Sequence, residues 1–309
     1  MERDLADEEY LAYELGELYQ AAGWRRFRMR KFEEYAFYLK NRDFLSSQQV
    51  ITFTDADGRL VALKPDVTLS IVKRYDPDSA GVQKMFYNES VFRVPRGQRT
   101  FREIRQVGLE ALGDIDGETL AQVVELAARS LQLFGREFVL EISDLSLMNA
   151  IFDALKLPAA AREEFLQAIE AKQASVIAQM CERLGIDEQA SQGLIAMARF
   201  YGTPAQALEE FETLLGSGST KAAWRAFAEK IAELQASPLA ANYRVNFSIV
   251  ANMTYYDGLA FSGYVSGIPT ALISGGEYNR LMRRMAYDAG GVGFAVYLDT
   301  AEQLRSADE

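Results

Sequence analysis

The sequence predicts an α+β fold: an antiparallel sheet flanked by helices, with a helical block inserted into it. Three observations carry that prediction. Residues 1 to 147 mix one opening helix with strand patterns. Residues 148–239 read almost entirely as helix, and residues 240–309 return to strands and turns. A helix-rich stretch framed by strand-rich sequence reads most economically as an insertion (148–239) into one core (1–147 and 240–309).

The elements follow in order. Leu11, Leu15, Leu18, Tyr19 and Ala22 recur at helical spacing, and Gly23 follows as a stop. VITFTDADGRLVAL (50–63) predicts a hairpin around Asp57-Gly58, a turn pair that tolerates positive φ. KMFYNESVFRV (84–94) and TFREIRQVGLEAL (100–112) predict two strands joined by a turn at Pro95-Arg96-Gly97. Residues 117–134 suit a helix returning across the sheet. In the middle block the strong helix formers Ala, Glu, Gln and Leu dominate. Thr203-Pro204-Ala205-Gln206 reads there as a capping box with proline at the first helical position. Pro158, Gly185, Gly202 and the glycines at 216 and 218 punctuate the helices. Tyr243, Val245, Phe247 and Ile249 alternate as a half-buried strand does. Residues 255–276 predict a hairpin, and GGVGFAVYL (290–298) a glycine-led strand running into a final helix.

Composition narrows the chemistry. The 309 residues include no histidine and one cysteine, Cys181. Nucleophile pairs that need a histidine base are excluded, as are His-ligated metals. A single thiol makes neither an intramolecular disulfide nor a thiolate metal cage. Chemistry is left to carboxylates, Arg, Lys, Tyr, hydroxyls and backbone dipoles, and no cofactor or metal is expected. Lys and Arg total 33 against 44 Asp and Glu, a net charge of -11. Such a field repels nucleic acid. The opening MERDLADEEY is acidic and polar, unlike a secretory signal. No apolar run reaches the roughly 18 residues of a membrane span. The expectation is a cytoplasmic protein with neither nucleic-acid nor membrane partner.

Four constellations stand out. Arg93, Arg96, Arg99, Arg102 and Arg105 recur every three residues. Their guanidinium forks suit carboxylate or phosphate, or a solvated hairpin tip. On two paired strands they face opposite sides, so one ligand cannot meet all five. Asp66 and Thr68, two apart in LKPDVT, offer a charge and a hydroxyl to an ammonium group, or belong to a turn that caps a helix at Thr68 or Ser70. Gln106 and Glu110 share one face of a strand and need polar partners if buried. Tyr255-Tyr256 and Tyr278, beside Gly275-Gly276, combine ring area with hydroxyl handles.

The order of these segments carries more than any one of them. LKPDVT, FYNESVFRVPRGQRTFREIRQVGLEALGD, NMTYYDGLAFSGY, ISGGEYNRLM and GGVGFAVYLD together resemble the catalytic core of the histidyl-tRNA synthetases, a class II aminoacyl-tRNA synthetase fold. The resemblance covers almost the whole chain, insertion included. It implies that Asp66, Thr68 and Gln106 face the amino group of a bound histidine, and Glu110 and Tyr256 its imidazole. Arg93 would serve the carboxylate or the fold, and Tyr255 and Tyr278 would line the pocket.

The departures are specific. The family's motif-2 glutamate falls at Pro95, its adenine-stacking aromatic at Ile104, its phosphate-binding motif-3 arginine at Thr300, and its activating arginine at Ala251. Each loss removes a charge or a stacking face that adenylation needs. Thr254 replaces an aspartate, and Glu277 and Asn279 alter a Gly-Gly-Arg-Tyr-Asp element. This pattern is similar to that of the regulatory subunits of ATP phosphoribosyltransferase, synthetase paralogues of histidine biosynthesis. It implies a chain without catalysis of its own, forming a homodimer within a hetero-oligomer that includes a short-form catalytic subunit. It also implies feedback regulation by histidine. Arg30 stands where the synthetases carry proline in motif 1, GWRRFRMRKFEE here, the segment that normally forms their dimer interface. A diverged amino-acid-activating ligase and a scaffold that has lost its ligand are the alternatives.

Overall fold

The computed structural model describes residues 7–45, 49–94, 99–249 and 255–301. α1 (Asp7–Ala21) buries Leu15 and Tyr19, and Gly23, at φ +88°, ends it. β1 (Arg25–Arg26), β2 (Phe32–Glu34), α2 (Tyr35–Lys40) and a 3-10 turn over Arg42–Phe44 follow. β3 (Thr52–Thr54) and β4 (Leu60–Leu63) form the expected hairpin, with Gly58 at φ +78°. Next come α3 (Thr68–Val72), β5 (Gln83–Arg93), β6 (Arg102–Gly113), α4 (Gly117–Gln132) and β7 (Phe138–Asp144). The helical block holds α5 (Leu145–Ala154), α6 (Ala159–Glu170), α7 (Ala174–Leu184), α8 (Glu188–Arg199), α9 (Pro204–Leu215) and α10 (Lys221–Leu234). The chain then returns through β8 (Tyr243–Val245), β9 (Leu259–Val265), β10 (Ile273–Glu277), α11 (Asn279–Arg284), β11 (Gly290–Tyr297) and α12 (Leu298–Ala301).

The main sheet runs β1-β5-β6-β11-β10-β9-β7-β8. Its centre is antiparallel, and only the outer pairs β1/β5 and β7/β8 are parallel. This is the expected α+β architecture. β2, β4 and β3 make a separate three-stranded sheet, so the 50–63 hairpin does not extend the main one. The helical block leaves from the end of β7 and returns as β8, which pairs alongside β7. α5, α8 and α9 begin on side-chain caps. Asp144 accepts from Leu147 N at 2.9 Å, and Thr203 and Gln206 form the capping box read from the sequence. The turn at Pro95, Arg96 and Gly97 lies outside the described residues.

One expected strand is shorter than its pattern. The alternation of Tyr243, Val245, Phe247 and Ile249 persists only to Val245. There the Asn246 carboxamide oxygen accepts Ser248 N at 3.1 Å, and this local turn replaces a ladder bond. Phe247 is still fully buried, against Phe211 and Phe227 of the helical block.

The sheet is buried on both faces, and strand alternation decides what each face meets. Val107, Leu109 and Ala111 of β6 pack into the cluster that holds α1, α4 and the helical block. Gln106, Gly108, Glu110 and Leu112 alternate with them and face the other side. On β5, Phe86 joins the first side, and Tyr87 and Val91 the second. The second side is covered by α3, α11 and the small sheet.

A buried ion pair joins the two sheets. Lys64, just after β4 and 2% exposed, bonds to Glu89 of β5, whose other oxygen accepts Met29 N at 3.2 Å. Removing one partner of such a pair leaves an unmatched buried charge. Lys64→Met is therefore expected to cost about 3 kcal/mol or more in urea unfolding. The K64M/E89Q double variant should recover much of that loss; equal stabilities of wild type and K64M would overturn the account.

Candidate functional site

The two-residue period of β5 and β6 brings polar side chains to one spot. Odd positions of β5 and even positions of β6 share a face, so Tyr87, Arg93, Gln106 and Glu110 converge there. α3 supplies Thr68 at its first residue and Asp66 just before it. The segment leading into β9 supplies Tyr255 and Tyr256. β10 ends into Tyr278, which precedes α11. These residues line one cavity of about 110 Å³. All eight residues expected from the sequence, Asp66, Thr68, Arg93, Gln106, Glu110, Tyr255, Tyr256 and Tyr278, are on its wall. Ala251 and Thr254, two of the departures, lie outside the described residues, as does Pro95.

Glu110 is the centre of this wall. It is 2% exposed, and both carboxylate oxygens are engaged: Thr68 Oγ1 donates to Oε1 at 2.5 Å and Tyr278 Oη to Oε2 at 2.5 Å. Its carboxylate needs a gap in the neighbouring strand. Gly293 of β11 sits directly opposite, and a Cβ there would lie 1.8 Å from Oε2. Gly108, two residues earlier on β6, leaves the same kind of gap for the Tyr87 hydroxyl. Burial pushes the Glu110 carboxyl up to about 8, against the pull of the Thr68 and Tyr278 hydroxyls, and nearby Asp66 adds to the rise.

Asp66 plays two parts. Its Oδ1 accepts Leu69 N at 2.8 Å in the first turn of α3, where the sequence placed a cap at Thr68 or Ser70 instead, and its side chain also lines the cavity. A carboxylate has capacity for about four acceptor contacts, so the cap does not exhaust it. Burial raises its pKa, and the Arg93 guanidinium pulls it back down. Around these acids stand the tyrosines. Tyr255 has its ring centroid 5.1 Å from that of Tyr256 and 6.0 Å from that of Tyr278. Burial holds all three phenols well above their ordinary range, so they stay neutral donors.

The arginine ladder divides as two-sided strands require. Arg93 is on the cavity wall. Arg105 faces the opposite side, where it pairs with Glu8 of α1 at 3.2 Å. Arg99 and Arg102 are exposed, and Arg96 lies outside the described residues. The positions that serve ATP in the synthetases look different again. Ile104 packs against the apolar cluster of the second face. Thr300 sits in α12 beside Asp299, whose carboxylate accepts Arg105 N at 3.0 Å.

Sequence reasoning missed Asp43, Phe44, Tyr87, Ser274, Gly293 and Tyr297, which also line the cavity. Strand phase on β5 and β11 was a usable signal for Tyr87, Gly293 and Tyr297. Nothing local marks Asp43 or Phe44, which come from the 3-10 turn.

The cavity therefore presents three carboxylates, Asp43, Asp66 and Glu110, against one guanidinium. Such a wall suits a small ligand with an ammonium group, a second basic group and one carboxylate. The raised Glu110 carboxyl has a sign-defined consequence. Between about pH 4.5 and 8 the folded chain keeps a proton that the unfolded chain releases, so stability falls as pH rises through that window. The slope from this group is at most about 1.4 kcal/mol per pH unit. Melting temperature should drop from pH 5 to pH 8 and flatten in Glu110→Gln. An unchanged slope in E110Q would sink the assignment.

The comparisons with known proteins bear on this geometry. The sequence model of the histidyl-tRNA synthetase family matches residues 1–301. The ATP phosphoribosyltransferase regulatory subunit of Alkaliphilus metalliredigens is 28% identical over 280 residues, covering 89% of this chain and 70% of that protein. The chain spans 58–70% of the length of three curated relatives carrying that name. Among solved structures, an ATP phosphoribosyltransferase regulatory subunit/histidyl-tRNA synthetase from Bacillus halodurans C superposes with a TM-score of 0.80 at 22% identity. It covers 98% of this chain and 82% of its own. An ATP phosphoribosyl transferase (HisG:HisZ) complex from Thermotoga maritima gives a TM-score of 0.70 at 19% identity, covering 94% and 97%. The two structures share the fold described above, and the family match spans all of its elements: the chain belongs to the histidyl-tRNA synthetase family.

Proposed function

We propose that this chain is a non-catalytic regulatory subunit of ATP phosphoribosyltransferase that binds histidine in the cavity around Glu110. The relatives named above carry that subunit's name, and one structural neighbour is an ATP phosphoribosyl transferase complex. On this reading the chain works in the cytoplasm as a homodimer, assembled with a short-form catalytic subunit in the first step of histidine biosynthesis. Residues 148–239 form an insertion into the synthetase-like core. Among the described residues no helix is long and apolar enough to cross a membrane.

The observation that carries the ligand assignment is the buried Glu110 carboxylate with Gln106 on the same strand face. An imidazole N–H donates to Glu110, whose buried oxygens already accept from Thr68 and Tyr278. Tyr256 adds a second polar contact to the ring. The ammonium group meets Asp66, the Gln106 carbonyl and the Thr68 hydroxyl, which keeps two lone pairs while donating to Glu110. Arg93 takes the carboxylate. Because the chain has no histidine, every imidazole in the cavity comes from the ligand.

No step of adenylation is assigned. Ile104 offers no ring to stack on adenine, and Thr300 no charge for phosphates. Feedback then follows from linkage: histidine binds one state of the assembled complex better than the other and shifts the population toward it.

The test is calorimetry with L-histidine on the chain assembled with its catalytic partner. Binding is expected, and Glu110→Gln should weaken it by about tenfold or more, because the positive charge of the ligand draws Glu110 to its ionised form and the amide cannot follow. The same additions of histidine should lower the partner's turnover. Partner activation without histidine binding would leave a scaffold only, and amino-acid-dependent pyrophosphate exchange would turn the reading toward a ligase.

A further inference from the structure

Lys230 of the helical block reaches the end of β10, next to Tyr278 of the cavity wall. Lys230 of α10 places Nζ 2.9 Å from Glu277 Oε2 and 3.2 Å from Asp144 Oδ2. Asp144 is fully buried at the start of α5, and the Glu277 side chain is 12% exposed at the end of β10. Burial works against the ammonium, but the two carboxylates outweigh it and hold Lys230 charged.

Glu277 is more than a counter-ion. Its Oε2 also accepts Leu259 N at 2.6 Å, and its backbone carbonyl accepts Asp257 N at 2.9 Å. The Asp257 amide immediately follows Tyr255 and Tyr256, and the Leu259 amide opens β9 two residues later. Glu277 itself immediately precedes Tyr278. Gly258 between the two amides passes so close that a Cβ there would lie 2.4 Å from Glu277 Oε2. Glu277 thus holds the backbone beside the three cavity tyrosines twice, through its main-chain carbonyl at Asp257 and its carboxylate at Leu259. In the synthetase-like Gly-Gly-Arg-Tyr-Asp element this position is an arginine. Here the charge is reversed, and a lysine from the inserted block supplies the cation.

We propose that Lys230 is a positioning residue for the ligand site: by neutralising Glu277 it fixes Tyr255, Tyr256 and Tyr278, so the cavity is complete only with the helical block docked. The proposal rests on the histidine-binding reading. It makes α10 the element through which an event on the helical block alters ligand affinity, without contact between α10 and ligand.

Lys230→Met leaves Asp144 and Glu277 buried without their shared cation. L-histidine binding by calorimetry is expected to weaken about tenfold or more, since small displacements of positioning groups are costly. Hydrogen exchange at the Asp257 and Leu259 amides should speed up by a similar factor. K230R, which keeps the cation, should stay within about threefold of wild type, and K230M/E277Q should recover most of the loss. Should K230M not fold, Glu277→Ala cuts the same link while keeping the Lys230–Asp144 pair, and should weaken binding to the same degree. Wild-type affinity in K230M or in E277A overturns the proposal, as does a K230M/E277Q variant no better than K230M. If the wild-type chain itself takes up no histidine, the functional reading falls. Exchange at the two amides then decides on Lys230 alone, with wild-type rates in K230M counting against it.

Discussion

The interaction on which the site depends is the burial of one carboxylate, Glu110, in the middle of a sheet covered on both faces. A carboxylate there is tolerable only with donors on both oxygens or with a proton. Thr68 and Tyr278 supply the donors, and burial favours the proton. Those two donors come from α3 and from the end of β10, which strand order separates. Satisfying Glu110 therefore fixes how α3, β6 and the β10–α11 junction sit relative to one another. Gly293 is the steric counterpart, because only a residue without Cβ leaves space for Oε2 at that point of the sheet.

Two further charged contacts extend the same logic outward. Lys64 and Glu89 join the small sheet to the main one, on the flank that carries α3. Lys230 joins the helical block to Asp144 at the end of β7 and to Glu277 beside Tyr278. Each spends a cation on a buried or half-buried carboxylate, in a chain whose acids outnumber its bases. The result is a site whose every wall is tied to a different layer of the fold. That arrangement suits a protein that reports ligand occupancy to the rest of an assembly, because moving any one wall moves an element packed elsewhere.

The contrast between the two halves of the synthetase-like face follows the same chemistry. The half that would meet an amino acid on the proposed reading offers Asp66, Gln106, Glu110 and three tyrosines, with Thr254 in place of one aspartate. The half that would meet ATP has an aliphatic side chain at Ile104 and a hydroxyl at Thr300 in place of a ring and a guanidinium. Differential stabilisation of a phosphorus transition state needs charge placed in advance. Binding of a small zwitterion needs only what Asp66, Gln106, Glu110 and Arg93 already offer.

The sequence by itself determined the fold class, the order of elements and the faces of the long strands, because the two-residue period is local. Gln106 and Glu110 had to share a side, and the five arginines could not all meet one ligand; that Arg93 and Arg105 part was decided by the β5–β6 register. It also determined the capping box at Thr203, a motif closed within four residues. Other features were decided only by tertiary structure. The strand at Tyr243 stops early because Asn246 makes its own turn, which alternation cannot show. Asp43 and Phe44 reach the cavity from a short turn without pattern. Lys230 lies 86 residues from Asp144 and 47 from Glu277, and Lys64 lies 25 from Glu89. Such pairs carry no spacing signal, since what brings them together is the strand order of the sheet and the burial that makes an unpaired charge intolerable.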